Sequence, residues 1–264
     1  MIDLGTQVGV PTLPAVTLSL DEMDFLVDKL ALDVLPVVLD AGPRYDTYEA
    51  RDEAFRRAVA GLTARDLLPG GEVRAELATR LQVLARPQWE IALRWYVDGS
   101  ISRLCVSRGD TMSVLTMRAA DTYVMQDTGV DIFAPVIAAL GAADPLHFGV
   151  VNAPTTQLGE VFDAGGDGKA LAAGLTALGV AAVDATAVGN AMATCNTYAE
   201  IVGIVYGDGQ YDPVGGPVTV FDTQNGRIVG TSSVSAHGVA WSSLSPGTPQ
   251  RLRQALEFLA DRLH

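Results

Sequence analysis

The sequence predicts an α+β fold in which antiparallel meanders and amphipathic helices form two similar halves sharing one sheet. Three observations carry this. Apolar residues alternate with period two in segments joined too tightly for parallel crossovers, as between Trp89–Val97 and Ile101–Val106. Between these blocks lie stretches whose apolar residues recur every three or four positions. Finally, the run from Gln88 to Gly99 is echoed by the run from Tyr198 to Gly209, 110 residues later. A period that long means two related halves rather than a solenoid.

In chain order, Ala15–Leu20 alternates as a strand, and Ser19 with Glu22 forms a capping box for a helix whose core face is Phe25, Leu26, Leu30 and Leu32. After Leu35–Leu39 the chain breaks at Gly42-Pro43, and Thr47–Leu84 reads as a helical hairpin, with Phe55, Val59 and Leu62 on one arm and Leu77, Leu81 and Leu84 on the other. Pro87 ends it. Trp89, Ile91, Leu93, Trp95 and Val97 then share one face of a half-buried strand, Asp98-Gly99 is a hairpin turn, and strands follow at Ile101–Val106, Met112–Arg118 and Thr122–Gln126.

In the second half, Asp131–Leu140 reads as a helix, Pro145–Val151 as a connection, and Leu158–Phe162, Lys169–Leu178 and Thr186–Ala193 as short Ala-rich helices. Thr197–Tyr206 is a strand ending in the turn 207–209. Val218–Thr223 and Arg227–Val234 meet at Asn225-Gly226, the strongest short-range hairpin signal. A pivot at His237-Gly238 leads to a strand at Val239–Leu244, and Thr248 followed by Pro249 starts a terminal helix bearing Leu252, Ala255, Leu256, Leu259 and Leu263. Trp241 is expected to matter for folding before recognition.

Composition excludes several classes of function. The 264 residues carry 31 acids against 18 bases, a net charge of −13, spread almost evenly over the two halves. That balance argues against a nucleic-acid or anionic-membrane partner. The first ten residues hold Asp3 and no Lys or Arg, unlike a secretory leader, and no apolar run approaches the roughly 18 residues of a membrane span. The expected location is the cytoplasm. Cys105 and Cys195 stand far apart without metal spacing, which favours two reduced thiols over a disulfide.

Catalytic patterns are sought and not found. Asp163–Ala170 is glycine-rich but lacks the first Gly and final Ser or Thr of a phosphate loop. His147, His237 and His264 are isolated from one another and from both cysteines. Asp163 and Asp167 read as solvated loop acids, and Arg108-Gly109-Asp110 as a turn between strands. The expectation is therefore no catalytic residue, no metal, no cofactor and no enzyme. Two features exceed the needs of a core. Only six charged side chains occur between Ile132 and Ala199, so those helices either pack closely or present an apolar surface. Trp95, Tyr96 and Tyr206 stand at strand ends beside Asp-Gly turns, where amphipathic rings serve as interface anchors. Together they favour a binding protein.

The order of motifs resembles the EspG family of ESX (type VII) secretion-associated proteins. The residues that carry it are Leu18–Leu26 with Leu35–Leu39, the strand pair Asp222–Val229, and Trp241 to Thr248 before the last helix. The resemblance spans about residues 15–263 and implies one domain over 1–264, with halves at about 15–128 and 129–264. It implies a central, mainly antiparallel sheet flanked by two helical bundles in a pseudo-two-fold relation. It also implies a cytosolic chaperone that binds the apolar tip of the PPE subunit of a PE/PPE heterodimer, 1:1:1, and directs it to an ESX system. By the same resemblance the partner surface maps to Trp95, Tyr96, Asp98, Gly99 and Ser100, to the helices between Asp131 and Leu178 through Phe133 and Val136, and to the turn bearing Tyr206, Asp208 and Tyr211. The competing expectations are a small-molecule hydrolase or ligand-binding protein with a polar pocket between the halves, and a scaffold that dimerises through the charge-poor helices.

Overall fold

In the computed structural model, which describes residues 13–207 and 210–263, the chain passes twice through the same series of elements. The first pass is β1 (Val16–Ser19), α1 (Leu20–Lys29), α2 (Tyr48–Ala64), α3 (Ala75–Ala85), β2 (Trp89–Val97), β3 (Ser100–Arg108), β4 (Ser113–Ala119) and β5 (Thr122–Asp127). After α4 (Ala134–Leu140) come β6 (Val151–Pro154), α5 (Thr155–Asp163), α6 (Gly168–Ala177), α7 (Ala182–Met192), β7 (Thr197–Gly207), β8 (Gln210–Thr223), β9 (Gly226–Val234), β10 (Ala240–Pro246) and the closing α8 (Pro249–Ala260). Asp208, Gly209, His264 and the residues before Leu13 lie outside the described residues.

The ten strands form one sheet in the order β1-β5-β4-β3-β2-β7-β8-β9-β10-β6, with each neighbouring pair antiparallel. Read outward from the centre, each side presents a four-strand meander whose last strand takes the half's leading strand as its edge. β2 meets β7 at the centre, from Trp89 opposite Val205 to Val97 opposite Thr197. The halves are thus related by a pseudo-two-fold axis through the β2/β7 pair, as the repeated motif predicts.

Alternation along the strands sorts the core into layers. On one face, Leu18, Ala92, Cys105, Val114, Tyr123 and Met125 pack with Met23, Leu26, Leu62, Leu77, Leu81 and Leu84 of α1–α3. Farther along the same face, Ile228 and Leu244 pack with Leu158, Leu175, Ala185 and Val188 of α5–α7. The opposite face, bearing Ile91, Leu93, Leu104, Val106, Ala199, Ile201 and Val220, is covered by α4 and α8 through Val136, Leu140, Leu252, Leu256 and Leu259. Two bundles therefore flank the sheet side by side, and α8 seals its back.

Local chemistry explains the helix starts. Ser19 and Glu22 bond reciprocally to each other's backbone N–H, closing the expected capping box. Thr47 caps α2, and Thr248 caps α8 with Pro249 in its first turn. Asp98 and Gly99 both take positive φ (47° and 81°), the primed turn that matches the twist of β2 and β3.

Several expectations need correction. The β8–β9 loop is Gln224-Asn225, since Thr223 pairs with Gly226. Gly226 is required because a Cβ there would meet the Leu146 backbone N at 2.6 Å. Pro145–Val151 is not only a connection, because Val151 opens the edge strand β6. β8 begins eight residues before Val218. β9 pairs only from Val218 onward, so Pro213 and Pro217 lie where no second neighbour needs their missing N–H. Val59 faces solvent, α2 burying Ala54, Ala58 and Leu62 instead. β2 is covered on both faces at its start, where Glu90 and Ala92 are as buried as Ile91. Trp241, paired with Pro154 and Ser233 near the sheet edge, is 40% exposed.

Candidate partner-binding surface

The bundle face of the central strand pair is covered unevenly. At the Trp89 end α1–α3 close over Glu90 and Ala92. At the Val97 end the floor between the bundles stays open. Arg94 of β2 and Glu200 of β7, directly opposite each other, are exposed, and Tyr96 and Tyr198, the next opposed pair on that face, are half-buried. Their rings stack with centroids 4.5 Å apart and planes 16° from parallel. Phe221, opposite Tyr198 on β8, continues the row 6.4 Å farther on. The Asp98-Gly99 turn closes this end, and Asp98 Oδ1 accepts a hydrogen bond from Asn196 Nδ2 at 2.8 Å, tying the turn to the entry of β7. Burial, with Tyr96 and Glu200 nearby, pushes the Tyr198 hydroxyl upward, so it stays a neutral donor. An open aromatic row between helical walls is suited to holding an apolar helical end, with amphipathic rings that tolerate water when it is absent.

The other predicted residues lie elsewhere. Tyr206 and Tyr211 oppose each other at the far end of β7, eight residues along the strand from Tyr198, or about 26 Å at strand spacing. Their rings sit 6.4 Å apart. With Val34, Leu35, Pro36, Val37, Leu84 and Pro87 they line an open cleft of about 710 Å³ beside the first bundle. Val34 and Val37 are 65% and 59% exposed. Tyr96 and Tyr206 occupy equivalent positions in the two halves, so the structure holds these rings at opposite ends of the sheet and does not bring them together. Asp208 lies outside the described residues.

Trp95 and Phe133 point to the opposite face, where both pack against the α8 core. Val136 is fully buried in that core. This corrects its placement on a contact surface, because α4 spends its apolar side on α8 and the sheet. Gly99 and Ser100 are exposed at the turn. Tyr198, Glu200, Asn196 and Phe221 were missed by sequence reasoning, although the repeat carried a signal for them. Two copies related about a shared central pair place Tyr96 opposite Tyr198.

The charge-poor helices are explained by close packing. A Cβ on Gly189 of α7 would lie 2.7 Å from both the Ala172 N and the Gly168 O of α6. Outward, α6 shows Ala170, Ala173 and Ala177, and Val183 precedes α7's buried turn. A cleft of about 1020 Å³ lies against Asp24, Arg44, Tyr45 and Phe55 of the first bundle rather than between the halves. Within it Arg44 is engaged, donating to both Asp21 and Asp24. Among the described residues no three His, Cys, Asp or Glu are grouped to hold a metal, and no helix is long and apolar enough to cross a membrane. Cys105 and Cys195 are free thiols.

Comparison with known proteins agrees with this architecture. The model of the EspG family matches residues 19–257. The ESX-1 secretion-associated protein EspG1 of Mycobacterium tuberculosis is 29% identical, the match covering 94% of this chain and 87% of that protein. The ESX-3 secretion-associated protein EspG3 of Mycolicibacterium smegmatis is 27% identical over 94% of this chain and 87% of its own length. Among solved structures, the M. tuberculosis type VII secretion system chaperone EspG5, in complex with the PE25–PPE41 dimer, superposes with a TM-score of 0.79. That match covers 95% of this chain and 97% of EspG5 at 19% identity.

Proposed function

Because the chain belongs to the EspG family, we propose that it is a chaperone of a type VII secretion system that binds a PE/PPE heterodimer in a 1:1:1 complex. The observation that supports this best is the family match across both halves, joined to an open aromatic floor between the bundles. The apolar tip of the PPE helical bundle is the part of such a cargo most prone to self-association. In this reading the tip enters the valley over Tyr96, Tyr198 and Phe221, with Asp98, Gly99 and Ser100 at its mouth. The wall is the bundle α5–α7. Trp95 and Phe133 support the strand from behind. The protein acts in the cytoplasm, holds cargo in soluble form until it reaches the secretion machinery, and performs no chemistry.

A partly open floor is also compatible with release of the cargo. The rings are already half-covered by one another, so the net gain on covering them is moderate and release remains accessible. Co-expression with a matching PE/PPE pair, followed by size-exclusion chromatography with mass measurement, is expected to yield one complex containing all three chains. Recovery of the chain and its genomically cognate PE/PPE pair only as separate species would refute the assignment.

A further inference from the structure

Glu90 has no part in the partner surface, yet its placement is costly. It projects from β2 toward the α1–α3 bundle, between Ser107 of β3 and Ile204 of β7, and is 0% exposed. Neither carboxyl oxygen has a well-formed hydrogen bond among the described residues, and the side chain that approaches it as a donor is that of Tyr206. The cations of the surrounding elements are engaged elsewhere. Arg80 binds Asp127 and the carbonyls of Leu13 and Pro14, and Arg86 binds Asp33. Arg74 binds Glu76, and Lys29 pairs with Glu72. Arg103 reaches Asp40, while Arg118 reaches the carbonyls of Leu39 and Asp40. Arg94, on the same face of β2, is exposed four residues along the strand. Of the titratable groups, Tyr206 donates toward the Glu90 carboxyl, opposing the effect of burial, and the carboxyl in turn helps to raise the buried Cys105 thiol.

A buried carboxyl with no cation beside it, and with only the Tyr206 hydroxyl approaching it, is tolerable chiefly when neutral. When it ionises, it needs water, and an open cleft lies on the Tyr206 side. Tyr206 stands next along β7 on the same face and forms a wall of the 710 Å³ cleft. The backbone N–H of Tyr206 donates to the Gln88 carbonyl at 2.9 Å, so this contact closes the end of the β2/β7 pair over Glu90.

We propose that Glu90 is a proton-controlled latch on the Tyr206 end of β7. With the carboxyl neutral, Tyr206 packs against β2 and the cleft keeps its wall. With the carboxyl ionised, the strand end parts from Gln88, water reaches the charge, and the cleft changes shape. The latch belongs to the free chain and stands apart from the choice of partner. Burial raises the Glu90 carboxyl to about 7 in the closed form, and an opened, hydrated carboxyl titrates near the ordinary value. Linkage then increases the local opening equilibrium about tenfold between roughly pH 6 and pH 8.5.

Amide hydrogen exchange on the free full-length chain tests this, with rates corrected for intrinsic base catalysis at each pH. Protection of the Tyr206 amide is expected to fall about tenfold over that range in the wild type and to stay flat in Glu90→Gln. Amides of Ile228 to Gly230, in the core of β9, are expected to stay protected in both. If Glu90→Gln fails to fold, Glu90→Met supplies the same comparison. A pH dependence shared by wild type and variant would overturn the latch. So would a loss of protection equally large at β9, since that would be global unfolding.

Discussion

Replacing Glu90 with glutamine is expected to stabilise the protein at pH 8 and to leave it little changed at pH 5. The carboxyl titrates at about 7 when folded, against an ordinary 4.5, chiefly because burial penalises its charge. Between those values the folded chain holds a proton that the unfolded chain has released, so stability falls as pH rises. The favourable contribution is complete below about pH 4.5, declines across the window and is lost above 7. The raised value corresponds to about 3 kcal/mol at 1.36 kcal/mol per pH unit. Glutamine keeps the shape without the charge, but its amide is no better partnered than the acid, which costs about 1 kcal/mol. The expected net gain at pH 8 is about 2 kcal/mol. Carboxylates such as Asp21, held below the ordinary range by its hydrogen bond from Arg44, give the opposite slope in acid. They cancel in the difference between variant and wild type. Urea unfolding at pH 5, 6, 7 and 8 measures that difference, and a value flat across the series would refute the burial argument.

Arg227→Met should be among the most damaging single changes. Arg227 is buried, donates to Asp222 at 2.5 and 2.8 Å and holds the Leu140 and Gly141 carbonyls that end α4. Leaving Asp222 and those carbonyls unpaired is expected to cost about 3 kcal/mol or more, read as a lower urea midpoint at unchanged m-value. Gly189→Ala should destabilise by about 1–3 kcal/mol despite alanine's helix preference, since the added carbon meets α6 backbone; a gain in melting temperature would show that the two helices separate freely. Trp241→Ala should cost about 1–2 kcal/mol in the same unfolding assay, less than a core truncation, because the side chain is only partly covered.

Much of the architecture was legible because its signals are local. Ser19 with Glu22, Thr248 with Pro249, and Asp98 with Gly99 each announce a helix start or turn within four residues, and each forms as expected. The misreadings arose where a distant neighbour decides. Val151–Pro154 is four residues ending in proline, and only pairing with Trp241–Leu244 makes it a strand. Residues 210–217 carry no strand signal, because prolines and glycines mask it, yet these are tolerated where β9 does not pair with β8. Val136 looked available on an apolar helix, since nothing nearby in sequence reveals that α8 returns to cover it. The low charge of α5–α7 was ambiguous for the same reason, as glycine and alanine serve equally for an exposed apolar face and for helices in close contact.

The binding surface arises where the two halves cease to match. Glu90 and Glu200 hold equivalent places in the repeat, as do Tyr206 and Tyr96. Over Glu90 the first bundle closes completely, whereas over Glu200 the second bundle leaves the sheet open. The same strand motif therefore makes core at one end and a floor at the other, and the stacked Tyr96–Tyr198 pair is the largest apolar feature of that floor. Stability and recognition should then separate there. Truncating both rings, Tyr96→Ala with Tyr198→Ala, removes a half-exposed stack worth about 1 kcal/mol to folding. At the centre of an interface the same loss should cost at least about 2 kcal/mol of binding, a weakening of roughly thirtyfold or more. Circular dichroism melting should change little while the complex with the PE/PPE pair disappears from size-exclusion profiles. A folded double variant that still co-elutes with its cargo would move the contact off this valley.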